Sequence, residues 1–174
     1  MAKLDPIKPV DIPVALALSS SAGDTYAVLS QRLALSPSVL HGAVRRLGLA
    51  GLLLPGTRQP NRSALLEFIE HGVRYAFPGT LGPVSRGVPT AHAGPDLAGT
   101  VVGEPVVWAS AAGASVGAAV APLHPRADRL PELAPDVYAA LALVDALRVG
   151  RARERTLARE ALARRFEADR ARAS

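Results

Sequence analysis

The sequence predicts a mainly α-helical protein, and three observations predict it. Apolar residues recur at the helical i, i+3, i+4, i+7 spacing in both the N-terminal and the C-terminal parts of the chain. The 174 residues are 49% apolar but only 4% aromatic, so alanine, leucine and valine must fill the core, as suits packed helices. Between them, residues 78–131 are punctuated by Gly and Pro, including Pro78, Gly79, Gly82, Pro83, Gly87, Pro89, Gly94 and Pro95. Long regular helices are not expected there.

Taken in order, residues 1–8 read as a flexible start. Asp11 is placed to cap a first helix with Pro13 in its first turn, Val14, Leu16 and Leu18 forming a buried face and residues 19–23 closing it. A second helix is predicted over 24–33 with Asp24 as its N-cap. A third is predicted over 36–50, with Ser36 as N-cap, Pro37 at the first helical position and Gly51 at the C-cap. Residues 52–54 form a short strand candidate, and Pro55-Gly56 marks a turn. Asn61 or Ser63 then caps a fourth helix through Phe77, carrying Leu65, Leu66, Ile69 and Val73 at helical spacing.

The Gly- and Pro-rich segment reads as a connector that either wraps the core or stays mobile; connectors this long are otherwise uncommon. Within it, residues 104–109 and 114–123 are expected to pair as a β-hairpin around Ala111-Ala112-Gly113. Helix resumes near Ala134, with Val137, Leu141, Val144 and Leu147 on one stripe. Gly150 interrupts the path, and a second helical pattern runs over 151–169 with the apolar line Leu157, Ala161, Leu162 and Phe166. Interleaved Glu and Arg on that helix allow pairs such as Glu160 with Arg164. The organisation is therefore an N-terminal module over 1–77, a connector over 78–130 and a C-terminal helical pair over 131–174.

The formal charge is +5, and lysine occurs only at Lys3 and Lys8. Residues 1–75 hold eight basic and five acidic side chains, residues 76–150 four and six, and residues 151–174 eight and four. A basic head suits nucleic-acid contact there better than over the whole surface. Arginine contacts phosphates and guanine edges bidentately, although a G- and C-rich genome also favours it over lysine. The absence of cysteine excludes disulfides, thiolate metal sites and cysteine catalysis. No long apolar run follows a basic start, and the apolar stretch 109–121 is too short to span a bilayer, so a cytoplasmic protein without a signal peptide or membrane contact is expected.

Residues 25–53 carry the strongest functional signal. Two short helical patterns flank a tight turn, with small residues Ser30 and Ala34 where the helices cross. This is the sequence form of a helix-turn-helix, whose second helix enters the DNA major groove. On that helix Leu40, Ala43, Val44 and Leu47 face the core. Ser36, Ser38, Val39, His41, Gly42, Arg45 and Arg46 are left facing outward or flanking. Ser38 and His41 are base-edge or phosphate candidates, Gly42 lets the backbone approach DNA, and Arg45 and Arg46 suit groove or phosphate contact. The plain alternative is a helical hairpin inside a core.

Residues 11–77, through 25–29, Ser36-Pro37-Ser38, Arg45-Arg46-Leu47 and Gly51-Leu52-Leu53, resemble a bacterial winged helix-turn-helix transcriptional regulator of the broadly MarR-like group. The resemblance implies a homodimeric, sequence-specific regulator of double-stranded DNA, expected to act as a repressor by occupying an operator. The wing, Pro55 to Pro60, departs from the group in being too short for a long hairpin; Arg58 and Arg62 remain phosphate candidates.

Other constellations are weaker. No two of His41, His71, His92 and His124 have metal-ligand spacing, no Gly-x-Ser-x-Gly elbow occurs, and no phosphate-cradling loop precedes a lysine. An enzyme, a metal and a cofactor are not expected. The loop 86–95, with His92, is either a surface-hugging segment or a small-molecule or partner pocket, and an effector-sensing regulator would use it. Trp108 belongs in a core or interface. The C-terminal helices are either a salt-bridged packed pair or a dimer or partner surface, which keeps open an antitoxin-like or adaptor protein that clasps a partner and autoregulates through its DNA-binding domain.

Overall fold

The computed structural model describes residues 5–21 and 23–173, with no side-chain description at Ala173. Residues 1–4 of the expected flexible start, and Ala22 of the expected closure after the first helix, lie outside the described residues. Among the described residues, eight α-helices and three strands follow in the order α1 (Asp11–Ser20), α2 (Tyr26–Leu33), α3 (Pro37–Leu49), α4 (Arg62–His71), α5 (Val73–Ala76), β1 (Leu81–Thr90), β2 (Val106–Ala109), β3 (Ser115–Val120), α6 (Leu130–Leu133), α7 (Pro135–Val149) and α8 (Ala152–Ala173). None of the helices is long and apolar enough to cross a membrane, among the described residues.

Two helices form the centre. In α1 every residue from Asp11 to Ser19 is buried, and in α7 every residue from Ala139 to Leu147. A helix covered on all sides has no polar face, which explains why α1 shows no clean helical stripe in sequence. α7 packs against α1, α5, α8 and β1, and α1 packs against α3. A single apolar cluster runs from Ile12 through Leu47, Ile69, Trp108, Leu141 and Leu162 to Phe166, joining the N-terminal helices, the middle segment and the C-terminal helices. The stripe Val137, Leu141, Val144, Leu147 is consumed by this packing, so of the two alternatives left open for the C-terminal helices it serves the packed pair and not a dimer or partner surface.

Helix ends follow local chemistry in part. Ser36 Oγ accepts from Val39 N and Asn61 Oδ1 from Ala64 N, both at 3.3 Å, as side-chain caps. Asp24 does not cap α2; Thr25 does, accepting from Val28 N, and Asp24 instead pairs with Arg32. Asp11 does not cap α1 either, because its carboxylate turns into the core. The fourth predicted helix breaks at Gly72 into α4 and α5.

The middle segment departs most from expectation. The two strands expected over 104–109 and 114–123 exist in shorter form as β2 and β3, but they do not form a hairpin: they pair parallel, Val106 with Ala118 and Val107 with Ala119. Their common antiparallel partner is β1, which the Gly and Pro signals had hidden. β2 lies along the C-terminal half of β1 and β3 along its N-terminal half, and Gly87 is opposite both Ala109 and Ser115. Each strand thus pairs with the other two and the sheet closes into a small barrel. A parallel pair normally needs a crossover of a dozen residues or more. Here residues 110–114 suffice because the chain crosses β1 at contact distance. A Cβ on Gly113 would stand 2.2 Å from the Gly87 carbonyl, and one on Gly117 2.1 Å from the Pro105 oxygen.

A buried polar knot fastens the barrel to α7. Asp145, fully buried, accepts from Thr90 Oγ1 at 2.8 Å, Trp108 Nε1 at 2.6 Å and Arg148 Nη1 at 2.6 Å. Arg148 also donates to the carbonyls of Phe77 and Ala121. Trp108 therefore sits in the core, edge-on to Tyr138. The carboxylate and guanidinium satisfy each other and fix where β1, β2 and the end of β3 meet the helix.

Candidate nucleic-acid interface

The turn between α2 and α3 is built from backbone geometry and two short side chains. Ala34 adopts the left-handed conformation at φ 48°. Its N–H and that of Leu35 both turn back to the Ser30 carbonyl, while Ser30 Oγ donates to the Leu35 carbonyl at 2.5 Å. Leu33 and Leu35 are buried on either side of the bend. α3 then seats Leu40, Ala43 and Leu47 in the core, with Val44 packed against it. This fixes which face of α3 looks outward.

Ser36, Ser38, Val39, His41 and Arg45 are exposed on that face, and Gly42 is half-buried. Arg45 has a side chain 57% exposed and pairs with Asp5. Arg46 does not belong to the face. Its side chain is only 7% exposed, and its Nε and Nη2 donate to Asp11 at 2.8 and 2.6 Å. Its hydrogen bonds to the Asp11 carboxylate hold the guanidinium charged, further above its ordinary range. Asp11 lies on α1, and a buried carboxylate demands a partner more strongly than a groove contact can compete for. Gly42 serves this pair: a Cβ there would come within 3.1 Å of Arg46 Nη1. Its role in the free protein is room for the arginine.

The two wing arginines are also anchored. Arg58 donates to the Asp24 carbonyl at 3.0 Å and its guanidinium carbon lies 4.7 Å from the Tyr26 ring centre. Arg62 donates to the Ser19 carbonyl at 3.1 Å, so it braces α4 against α1 and is half-buried. The wing itself is reduced to one antiparallel bridge, Leu53 with Pro60.

Tyr26 is the residue that sequence reasoning missed. Its ring stacks on His41 with centres 3.9 Å apart, so α2, α3 and the wing turn meet in a contact of Arg58, Tyr26 and His41. The available signal was an aromatic residue at the first position of α2, the only aromatic side chain on that helix. A further tie runs from Arg32 to Asp24 at 2.6 Å and to Asp136 at 2.8 Å, which joins α2 to the start of α7.

The face thus offers hydroxyls at Ser36 and Ser38, an imidazole at His41, an apolar Val39, and two guanidinium groups at Arg45 and Arg58. No group of three or more His, Asp or Glu side chains is arranged to hold a metal ion among the described residues. No protein family, curated protein or solved structure matches this chain.

Proposed function

We propose that the protein is a sequence-specific, double-stranded DNA-binding transcriptional regulator of the winged helix-turn-helix type. α3 is the reading helix and residues 54–60 are a reduced wing. The observation that carries this reading is the outward face of α3: its first two turns expose Ser38, Val39 and His41, while Leu40, Ala43 and Leu47 hold the opposite face in the core. Helix-turn-helix domains place those N-terminal positions against base edges. Ser38 and His41 read base edges in this reading, and Arg45 and Arg58 meet phosphates on either side. Arg46 and Arg62 take no part. With so few cations on the face, one protomer holds DNA weakly, and a homodimer on half-sites about 34–36 Å apart supplies the affinity. Its pairing surface lies outside the α7 stripe.

Fluorescence anisotropy of labelled duplexes, genomic fragments against random sequence, tests the proposal over a salt series. Log affinity should fall linearly with log salt, and Arg45→Ala and Arg58→Ala should each flatten the slope by about one. Asp5→Asn, which frees Arg45, should tighten binding. No binding to any duplex at low salt would refute the proposal.

A further inference from the structure

A cleft of about 360 Å³ opens where the barrel meets the α7–α8 junction. At its inner end stands His92, 9% exposed, whose Nε2 is buried and has no hydrogen-bond partner among the described residues. A second cleft of about 280 Å³ on the other side shares His92 and Gly103. Gly103 lies beside the ring: a Cβ there would stand 3.5 Å from Nε2, in ordinary contact with it. A buried imidazole nitrogen without a partner, on a residue that lines two cavities, costs stability unless something hydrogen-bonds to it.

The rest of the first cleft is divided by chemistry. Val106, Ala118 and Val149 give it an apolar side. Arg151 and Glu104 also line it, and neither side chain has a hydrogen-bond or ion-pair partner among the described residues. Glu154 spends one oxygen on the Arg151 backbone N–H and keeps the other free. One unpaired cation, one unpaired anion, a buried imidazole and an apolar wall in one small cleft are complementary to a molecule that carries both charges on a short apolar body.

We infer that this cleft binds a small zwitterion of the α-amino-acid class with an apolar side chain. Arg151 and His92 donate to the carboxylate, Glu104 and Glu154 accept from the ammonium group, and the side chain lies against Val106, Ala118 and Val149. No residue of α2 or α3 lines the cleft, so failure of this binding and failure of DNA binding are separable.

Isothermal titration of the full chain with L-valine, L-leucine and L-phenylalanine tests it, with 3-methylbutylamine and 4-methylpentanoate as probes that each keep one charge. At least one amino acid should bind saturably, and each single-charge probe at least about tenfold more weakly. Arg151→Ala should weaken the amino acid and the carboxylate probe but not the amine; Glu104→Gln should do the reverse. Both side chains are exposed, so these variants fold. His92→Gln should weaken every carboxylate-bearing probe. Absence of saturable binding by all three amino acids overturns the proposal. So does a single-charge probe that binds as tightly as its amino acid, or binding that Arg151→Ala and Glu104→Gln leave unchanged.

Discussion

Replacing Arg46 with alanine isolates the strongest electrostatic commitment in the N-terminal helices. Asp11 is completely buried and accepts three hydrogen bonds: Lys8 N at 2.8 Å, Arg46 Nε at 2.8 Å and Arg46 Nη2 at 2.6 Å. The substitution removes two of the three donors and the ion-pair partner of the carboxylate. Breaking a buried pair from one side costs about 3–5 kcal/mol, because the remaining charge stays out of water. A domain has about 5–15 kcal/mol in all, so the variant should lose a large fraction of its stability. The double variant Asp11→Leu with Arg46→Met leaves no charge behind and should recover most of that loss. Urea unfolding followed by Trp108, the single tryptophan and a core residue, reads both. Where Arg46→Ala remains folded, its salt slope for duplex DNA should equal the parent's, which Arg45→Ala should not share. A stability loss under about 1 kcal/mol, or a double variant as unstable as the single, would refute the buried-pair argument.

Two other outcomes follow from buried or strained local geometry. Burial pushes the His124 imidazole down from 6.5 to about 4, and its Nδ1 accepts from Arg126 N at 2.8 Å, which requires the neutral ring. The folded chain therefore holds this proton less tightly than the unfolded chain. The stability it contributes is present above pH 6.5 and is lost as pH falls toward 4, by about 3 kcal/mol for a shift of this size. Asp5 and Asp136 are held below the usual carboxylate range, while burial pushes Asp145 above it, so the comparison with His124→Gln is what isolates the imidazole. Melting temperature against pH should show the decline in the parent and a flatter profile in His124→Gln; parallel profiles would count against it. At Ala34 the left-handed backbone costs an L-residue about 1–2 kcal/mol. Glycine relieves it but adds unfolded-state entropy worth about 0.4–1 kcal/mol. Ala34→Gly should thus raise stability by up to about 1 kcal/mol and Ala34→Val should lower it, both read by urea unfolding; a destabilised glycine variant would contradict the turn geometry.

What the sequence determined by itself is local. Ser36 with Pro37 started α3, Asn61 started α4, and the spacing of Leu40, Ala43 and Leu47 chose the buried face, because caps and helical stripes act over three or four residues. The stripe on α7 was legible as apolar, but apolarity does not say which surface will cover it, and the chain's own α1 and α8 do so. Arg45 and Arg46 are neighbours of one type. Only the arrival of α1, with Asp11 thirty-five residues away in the chain, separates the one at the surface from the one in the core. The strand β1 was masked by its own two glycines and two prolines, whose local meaning is turn and connector. Its pairing with β2 and β3 depends on backbones that cross at Gly87 and Gly113, a close approach between segments distant in sequence. The orphaned His92 nitrogen and the unpaired charges around it are likewise products of that closure. They were brought to one cleft by contacts that no short window of residues encodes.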